Sequence, residues 1–158
     1  MQDLDANQTE IVQRALAQHH ATPGPLLEVL HAIQGRLGYV PPAAIPVVAS
    51  ALNLSRAEVY GAISFYHYFR QRPPGQSCVQ LCRAEACQSM GAVGLAAHVK
   101  RRLGIDFHQT SADGRYSLDA VFCFGNCACA PAVMIDGELH GGVTVQRFDE
   151  LLAAAESR

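Results

Sequence analysis

Gln71-Arg72-Pro73-Pro74-Gly75-Gln76-Ser77-Cys78-Val79-Gln80-Leu81-Cys82-Arg83-Ala84-Glu85-Ala86-Cys87 is the stretch that decides how this chain folds. Its Pro/Gly punctuation ends a helical pattern and begins a strand pattern, because proline lacks an amide donor and glycine is free of the usual backbone limits. Two domains are expected on either side of it, a helical one over residues 1–72 and an α/β one over residues 76–158. The strand that follows the break runs directly into a pair of cysteines.

Four helices are expected ahead of the break. Asn7 to His19 places Ile11, Val12, Ala15 and Leu16 on one face, the spacing of an amphipathic helix. Leu26 to Leu37 follows, with Leu26, Leu30, Ile33 and Leu37 as its buried stripe, Pro25 in its opening turn and Gly38 past its end. A third runs from about Ala43 to Leu52, where Pro46 is tolerated because it falls in the first turn. The fourth has the clearest start: Ser55, with Glu58 three residues on, forms a capping box ahead of Val59, Ile63 and Phe65. The aromatic run Tyr60 to Phe69 is assigned mainly to packing of this helical lead on the α/β domain, with partner contact as a second use.

Beyond the break the pattern is mixed. A strand ends at Cys82 and one helix runs from about Gln88 to Leu103. Phe107 to Thr110 is a short strand, Asp113-Gly114 a turn, and Tyr116 to Phe122 the next strand. Ala132 to Ile135 and Glu138 to His140 flank Asp136-Gly137, a two-residue hairpin signal. A last helix spans about Val145 to Ala155. The expected fold class is α/β: an N-terminal four-helix segment followed by a thioredoxin-like β-α-β-β-β-α domain.

Four of the cysteines sit in loops at strand ends, Cys82 and Cys87 in one, Cys123 and Cys127 in the other. Thiolates from two such loops can hold a metal centre, and a [2Fe–2S] cluster bound by Cys82, Cys87, Cys123 and Cys127 is the expected one. Single-electron transfer would then be the chain's work. Ala84, Ala86, Gly125, Ala128 and Ala130 are small enough for backbone amides to approach the cluster sulfurs, with Ala84, Ala86, Gly125 and Asn126 as the expected donors. Leu81, Phe122, Phe124 and Val133 are expected to keep water away. Structural zinc, disulfides and inert thiols remain open alternatives, although zinc pairs most often enclose two residues. A buried inert thiol is the expectation for Cys78, and Cys129 is an alternative ligand. Neither loop holds a histidine, as a Rieske-type centre would require.

Composition narrows the rest. Of the 158 residues 49% are hydrophobic and 16% charged, the range of a globular protein, and the net charge of −2 gives no electrostatic ground for nucleic-acid or membrane-surface binding. No window reaches the roughly 18 apolar residues of a spanning helix, so no membrane insertion is expected. The first residues, Met1-Gln2-Asp3-Leu4-Asp5, lack the basic start and apolar run of a secretory signal, which makes the cytoplasm the expected location. Thiols stay reduced in that compartment, which turns six cysteines toward metal or redox chemistry.

Cys82-Arg83-Ala84-Glu85-Ala86-Cys87 and Cys123-Phe124-Gly125-Asn126-Cys127-Ala128-Cys129-Ala130-Pro131 resemble the two cysteine motifs of the small thioredoxin-like [2Fe–2S] subunit of NADH dehydrogenases. Tyr60-Gly61-Ala62-Ile63-Ser64-Phe65-Tyr66 is similar to the Gly-Val-x-Thr-Phe-Tyr segment that precedes them in that family. The resemblance covers nearly the whole chain. Within the family, Cys-Arg-Ala-Glu-Ala-Cys-Gln-Ser and Cys-Ala-Cys-Ala-Pro look most like the gamma subunit of soluble NAD-dependent formate dehydrogenases. Gln88 stands where respiratory members usually carry His, and Cys129 where they usually carry Gly; neither is one of the four ligand positions.

The resemblance implies a partner flavoprotein subunit that binds FMN and NAD(H), and a larger oxidoreductase complex. In the formate enzyme it also implies a molybdenum or tungsten cofactor on a further subunit. The chain itself is not expected to turn over substrate. No Gly-x-Gly-x-x-Gly follows a strand, and Gly91-Ala92-Val93-Gly94 is read as lying inside a helix. A second function class comes from Ala43 to Phe69, which also parses as helix-turn-helix and, with a cluster, would describe a redox-sensing DNA-binding regulator. Only Arg56 is basic near the start of its recognition helix, where phosphate and base contacts concentrate, so no nucleic-acid partner is expected.

Overall fold

In the computed structural model, which describes residues 3–156, the chain divides into two compact units, Met1–Pro73 and Pro74–Arg158. The first contains four helices: α1 (Ala6–His19), α2 (Leu26–Leu37), α3 (Ala44–Ala51) and α4 (Arg56–Phe65). Its core gathers Val12, Val29, Leu30, Ile33, Val48, Val59 and Ile63. Each such aliphatic side chain stabilises the fold by roughly 1.5–3 kcal/mol through burial. Ser55 and Glu58 form the expected reciprocal cap on α4. An equivalent box that the sequence reading passed over, Asp5 with Gln8, starts α1 one residue early. Gly38 ends α2 in a left-handed conformation, its N–H donating to the Gln34 carbonyl at 2.7 Å.

The buried Gln34 side chain ties α2 to the segment after α4. Its Nε2 donates to the Tyr68 carbonyl at 2.8 Å and its Oε1 accepts from the Arg70 N–H at 2.8 Å. Of the Tyr60–Phe69 aromatics, Phe69 is buried in this core, whereas Tyr60, Phe65, Tyr66 and Tyr68 are exposed. Within this unit Phe69 is the ring that enters the core, and Tyr66 and Tyr68 pack edge-on against it from the surface.

The second unit runs β1 (Ser77–Cys82), α5 (Glu85–Ser89), α6 (Ala92–Leu103), β2 (Gln109–Thr110), β3 (Tyr116–Val121), β4 (Val133–Ile135), β5 (Glu138–His140) and α7 (Val145–Glu156). The sheet order is β2-β3-β1-β4-β5, with β1 and β3 parallel and the other pairs antiparallel. Val79, Leu81, Leu118, Val133 and Ile135 from the sheet form one core with Leu95, Val99 and Leu103 of α6 and Phe148 and Leu152 of α7. The fold is α/β and thioredoxin-like, with one strand and one helix more than the β-α-β-β-β-α order.

The extra helix arises at Gly91, whose φ of 93° is open to glycine and strained for other residues. It splits the expected Gln88–Leu103 helix into α5 and α6, and Gly91 caps α6 instead of lying inside it. The short strand expected over Phe107 to Thr110 is the two-residue β2, an exposed pairing on the edge of β3, and it is the strand that the β-α-β-β-β-α order leaves out. Asp136 and Gly137 both take positive φ, 50° and 85°, which joins β4 to β5 as the hairpin signal required. At Gly75 a side chain would meet the Tyr116 carbonyl carbon at 2.5 Å, so only glycine lets the chain enter β1 so close to β3. No helix among the described residues is long and apolar enough to cross a membrane.

Candidate metal centre

Parallel pairing brings the cysteine loops together. Cys82, the last residue of β1, lies opposite Val121, the last of β3, so both strands release their loops at the same end of the sheet. The antiparallel β4 enters there too, with Val133 opposite Leu81. The ladder continues past the strands: the Arg83 N–H donates to the Val121 carbonyl at 2.7 Å and the Cys82 N–H to the Ala132 carbonyl at 3.1 Å.

The two cysteine pairs differ in setting. Cys82 and Cys87 are each only 2% exposed, packed with Ala92 and Ala132 and flanked by Ala84, Phe124 and Ala130. Burial pushes the Cys87 thiol up from its ordinary value, and a hydrogen bond with Cys82 adds to this; the Ala132 amide, donating to the Cys87 sulfur, works in the opposite direction. Cys123 and Cys127 are exposed, their Sγ atoms 3.6 Å apart. The Cys127 thiol is pushed up by its hydrogen bond with Cys123 and by the like charge that Cys123 would carry. Charge on Cys82 acts across the two loops on Cys127, and charge on Cys127 acts on Cys87. The two loops thus lie near enough for charge on one to be felt on the other. Among the described residues, no three His, Cys, Asp or Glu side chains close on a point as a single metal ion needs.

The second loop is held under tension. Cys123 has a φ of 121°, which costs a non-glycine residue roughly 1–3 kcal/mol. A short 3-10 turn, Cys127–Cys129, and a cis Ala130–Pro131 peptide lead the chain back into β4. Hydrogen bonds from the Gly142 N–H to the Cys129 carbonyl (2.7 Å) and from the Val143 N–H to the Pro131 carbonyl (3.0 Å) pin that return. Gly141 lies so close beneath the turn that a Cβ there would sit 2.6 Å from the Cys129 Cβ.

The arrangement suits a cluster bound by thiolates. A metal with bonds of about 2.3 Å sets tetrahedral sulfur neighbours roughly 3.8 Å apart, near the Cys123–Cys127 separation. Amides aim at sulfur on both sides: Gly125, one of the four expected donors, reaches Cys123 Sγ at 3.2 Å, and Ala132, which sequence reasoning missed, reaches Cys87. Leu81 and Val133 are fully buried as expected, but in the main core, and Phe124 is partly buried beside Cys82. Phe122 is 75% exposed and shields nothing, because β3 ends one residue before it and the loop turns it outward. Cys78 is half-buried in β1, outside this group, with its N–H donating to Asp136 Oδ1 at 2.7 Å. Cys129 is exposed on the 3-10 turn.

A thioredoxin-like sheet that offers two cysteine pairs at the carboxyl ends of adjacent parallel strands defines a class of small iron–sulfur proteins. The chain belongs to the thioredoxin-like [2Fe–2S] ferredoxin family, whose model matches residues 12–156. It is 36% identical over 128 residues to an NADH-quinone oxidoreductase subunit of Pseudomonas aeruginosa, covering 81% of this chain and 77% of that one. The corresponding NADH-quinone oxidoreductase subunit of Escherichia coli is 30% identical over 150 residues, 95% and 90% of the two chains. The HndA subunit of the NADP-reducing hydrogenase of Solidesulfovibrio fructosivorans is 37% identical over 130 residues, 82% and 76%. A solved NAD+-reducing [NiFe]-hydrogenase superposes with a TM-score of 0.69 at 26% identity over 84% of this chain, which spans only 23% of that longer chain.

Proposed function

We propose that this chain is an electron-transfer subunit in which Cys82, Cys87, Cys123 and Cys127 hold one [2Fe–2S] cluster. The observation that carries this is the parallel register of β1 and β3, which releases both cysteine-bearing loops at one end of the sheet. Bound there, the cluster supplies one-electron chemistry beside a flavin that exchanges electrons with nicotinamide in pairs. Four thiolate charges in one site oppose the arrival of another negative charge, which favours a low potential; the amides of Gly125 and Ala132 ease that opposition by donating to sulfur.

The exposed residues of the two cysteine loops and their flanks support a protein partner. No charged residue occurs from Ala120 to Ile135, and Phe122, Met90 and Val93 are exposed apolar side chains close in sequence to the cysteines. Such a rim suits a partner that must approach closely and exclude water. The partner inferred is a flavoprotein subunit that binds FMN and NAD(H), within a cytoplasmic NAD-dependent oxidoreductase complex. Relatives named as subunits of NADH-quinone oxidoreductase and hydrogenase support that setting. The Cys-Arg-Ala-Glu-Ala-Cys-Gln-Ser and Cys-Ala-Cys-Ala-Pro motifs favour a formate dehydrogenase, whose molybdenum or tungsten cofactor would reside on another subunit.

Anaerobic purification, counts of iron and acid-labile sulfide, and EPR after dithionite test the cluster. Cys87→Ser and Cys123→Ser should each lose the visible absorption and most of the iron, whereas Cys78→Ser should retain both. Full iron and sulfide in the first two variants would overturn the ligand assignment. Co-purification of native partners with the tagged chain tests the complex; recovery of the chain without any flavoprotein would count against it.

A further inference from the structure

We propose that Cys123 and Cys127 form a thiol pair that low-molecular-weight disulfides oxidise in the cluster-free chain. The resulting intramolecular disulfide would withhold half of the ligand set until it is reduced. The two sulfurs are already 3.6 Å apart and exposed, so they need approach by only about 1.6 Å to reach bonding distance. Cys82 and Cys87, each 2% exposed, lie beneath small residues where a bulky disulfide cannot reach. Reactivity is therefore divided between the pairs by access.

The chemistry balances as ordinary exchange. The thiolate of one member attacks a sulfur of RS–SR, forming a mixed disulfide and releasing RS⁻. The partner thiolate then attacks the protein-side sulfur of that bond, closing Cys123–Cys127 and releasing a second RS⁻. Two protein thiols are oxidised, one RS–SR is reduced to two RSH, and the two protons lost by the cysteines end on the leaving thiols. The third exposed thiol of the loop, Cys129, competes for the mixed disulfide. Its backbone is pinned by the Gly142 and Asn126 hydrogen bonds and its Cβ lies against Gly141, whereas Cys123 and Cys127 are in sulfur–sulfur contact. The consequence for assembly rests on the ligand assignment above; the disulfide itself does not.

The test uses the full chain, stripped of iron by chelator and reduced, then treated anaerobically with oxidised glutathione. Two of the six thiols should be lost without a retained glutathione adduct, and fragment mass spectra should place the bond at Cys123–Cys127. Cys129→Ser should behave in the same way. Cys123→Ser and Cys127→Ser should stop at a mixed disulfide. The oxidised wild-type chain should take up no cluster on reconstitution until dithiothreitol restores it. A stable glutathione adduct in the wild type, a bond to Cys129, or loss of the buried thiols would each overturn the proposal. A disulfide that forms as stated, in a chain that still takes up a full cluster while oxidised, would count against the ligand assignment alone.

Discussion

Gly141→Ala tests whether the return of the cysteine loop is a precise mould. The added Cβ would stand 2.6 Å from the Cys129 Cβ, 2.7 Å from Asn126 Nδ2 and 2.8 Å from the Cys129 carbonyl oxygen, whereas ordinary contact begins at 3.4 Å. Cys129 must therefore retreat by about 0.8 Å, yet its carbonyl accepts from Gly142 at 2.7 Å and its N–H donates to Asn126 at 3.1 Å. Crowding of this kind costs about 1–3 kcal/mol. For a domain of this size each kcal/mol lowers the midpoint of thermal unfolding by about 4–8 °C. Cys127 lies two residues away on the same turn, and a metal–sulfur bond tolerates only about 0.2 Å. The variant should thus lose most of its cluster after anaerobic reconstitution, read as iron per chain and visible absorption, besides melting earlier. Gly142→Ala is the control. Its φ of 61° strains any side chain, by about 1–2 kcal/mol, but its Cβ would meet nothing within 4 Å. It should melt earlier and keep its iron. Full iron in Gly141→Ala, or equal loss in both variants, would refute the steric reasoning.

Three other outcomes are expected. Gly35→Ala, inside α2 with open space around the new methyl, should stabilise the chain by about 0.8–1 kcal/mol in denaturant titrations, and a lower midpoint would contradict this. Ser55→Ala removes the acceptor of the Glu58 N–H and should cost about 0.5–2 kcal/mol. Glu58's carboxyl is held below its ordinary 4.5, first by the Ser55 backbone N–H and then by the Ser55 hydroxyl. A depressed carboxyl stabilises above its unfolded value and loses that contribution as pH falls through the folded one, so the gap in melting midpoint between wild type and Glu58→Ala should close on acidification. Cys87 is the opposite case. Its thiol, raised above the ordinary 9.0 first by burial, stabilises the metal-free fold below that pH and loses the contribution as pH rises through the folded value. Reduced, metal-free wild type should therefore weaken as pH rises above about 9 more than Cys87→Ala does in urea titrations.

Elements whose cause is local were legible from the residues. Leu26–Leu37 is framed by a proline before it and a left-handed glycine after it, and those bounds are the observed ones. The Ser55–Glu58 box and the Asp136-Gly137 turn act through neighbouring backbone groups, so a few residues suffice to announce them. Asp5–Gln8 sends the same kind of signal and was overlooked. Gly91 shows the limit of periodic patterns. Apolar spacing runs through it without interruption, and only the positive φ, which glycine permits and does not require, divides α5 from α6.

Within the candidate site the division follows sequence distance. Cysteine spacing names the two pairs, but each pair is local, and their meeting depends on β1 lying parallel to β3, an interaction across roughly 40 positions of chain. The same long-range placement sets Gly141 against Cys129 and aims the Ala132 amide at Cys87, neither of which any window of the sequence contains. It also decides which pair is exposed. Cys87 begins no differently from Cys127 as a residue, yet α5 carries it under Ala92 and Ala132 while the strained turn after Cys123 leaves Cys127 at the surface. A side chain's chemistry is written at its own position, but its accessibility is a property of the sheet's register. That is why the two cysteine pairs are readable before the fold is known, and why their unequal exposure is not.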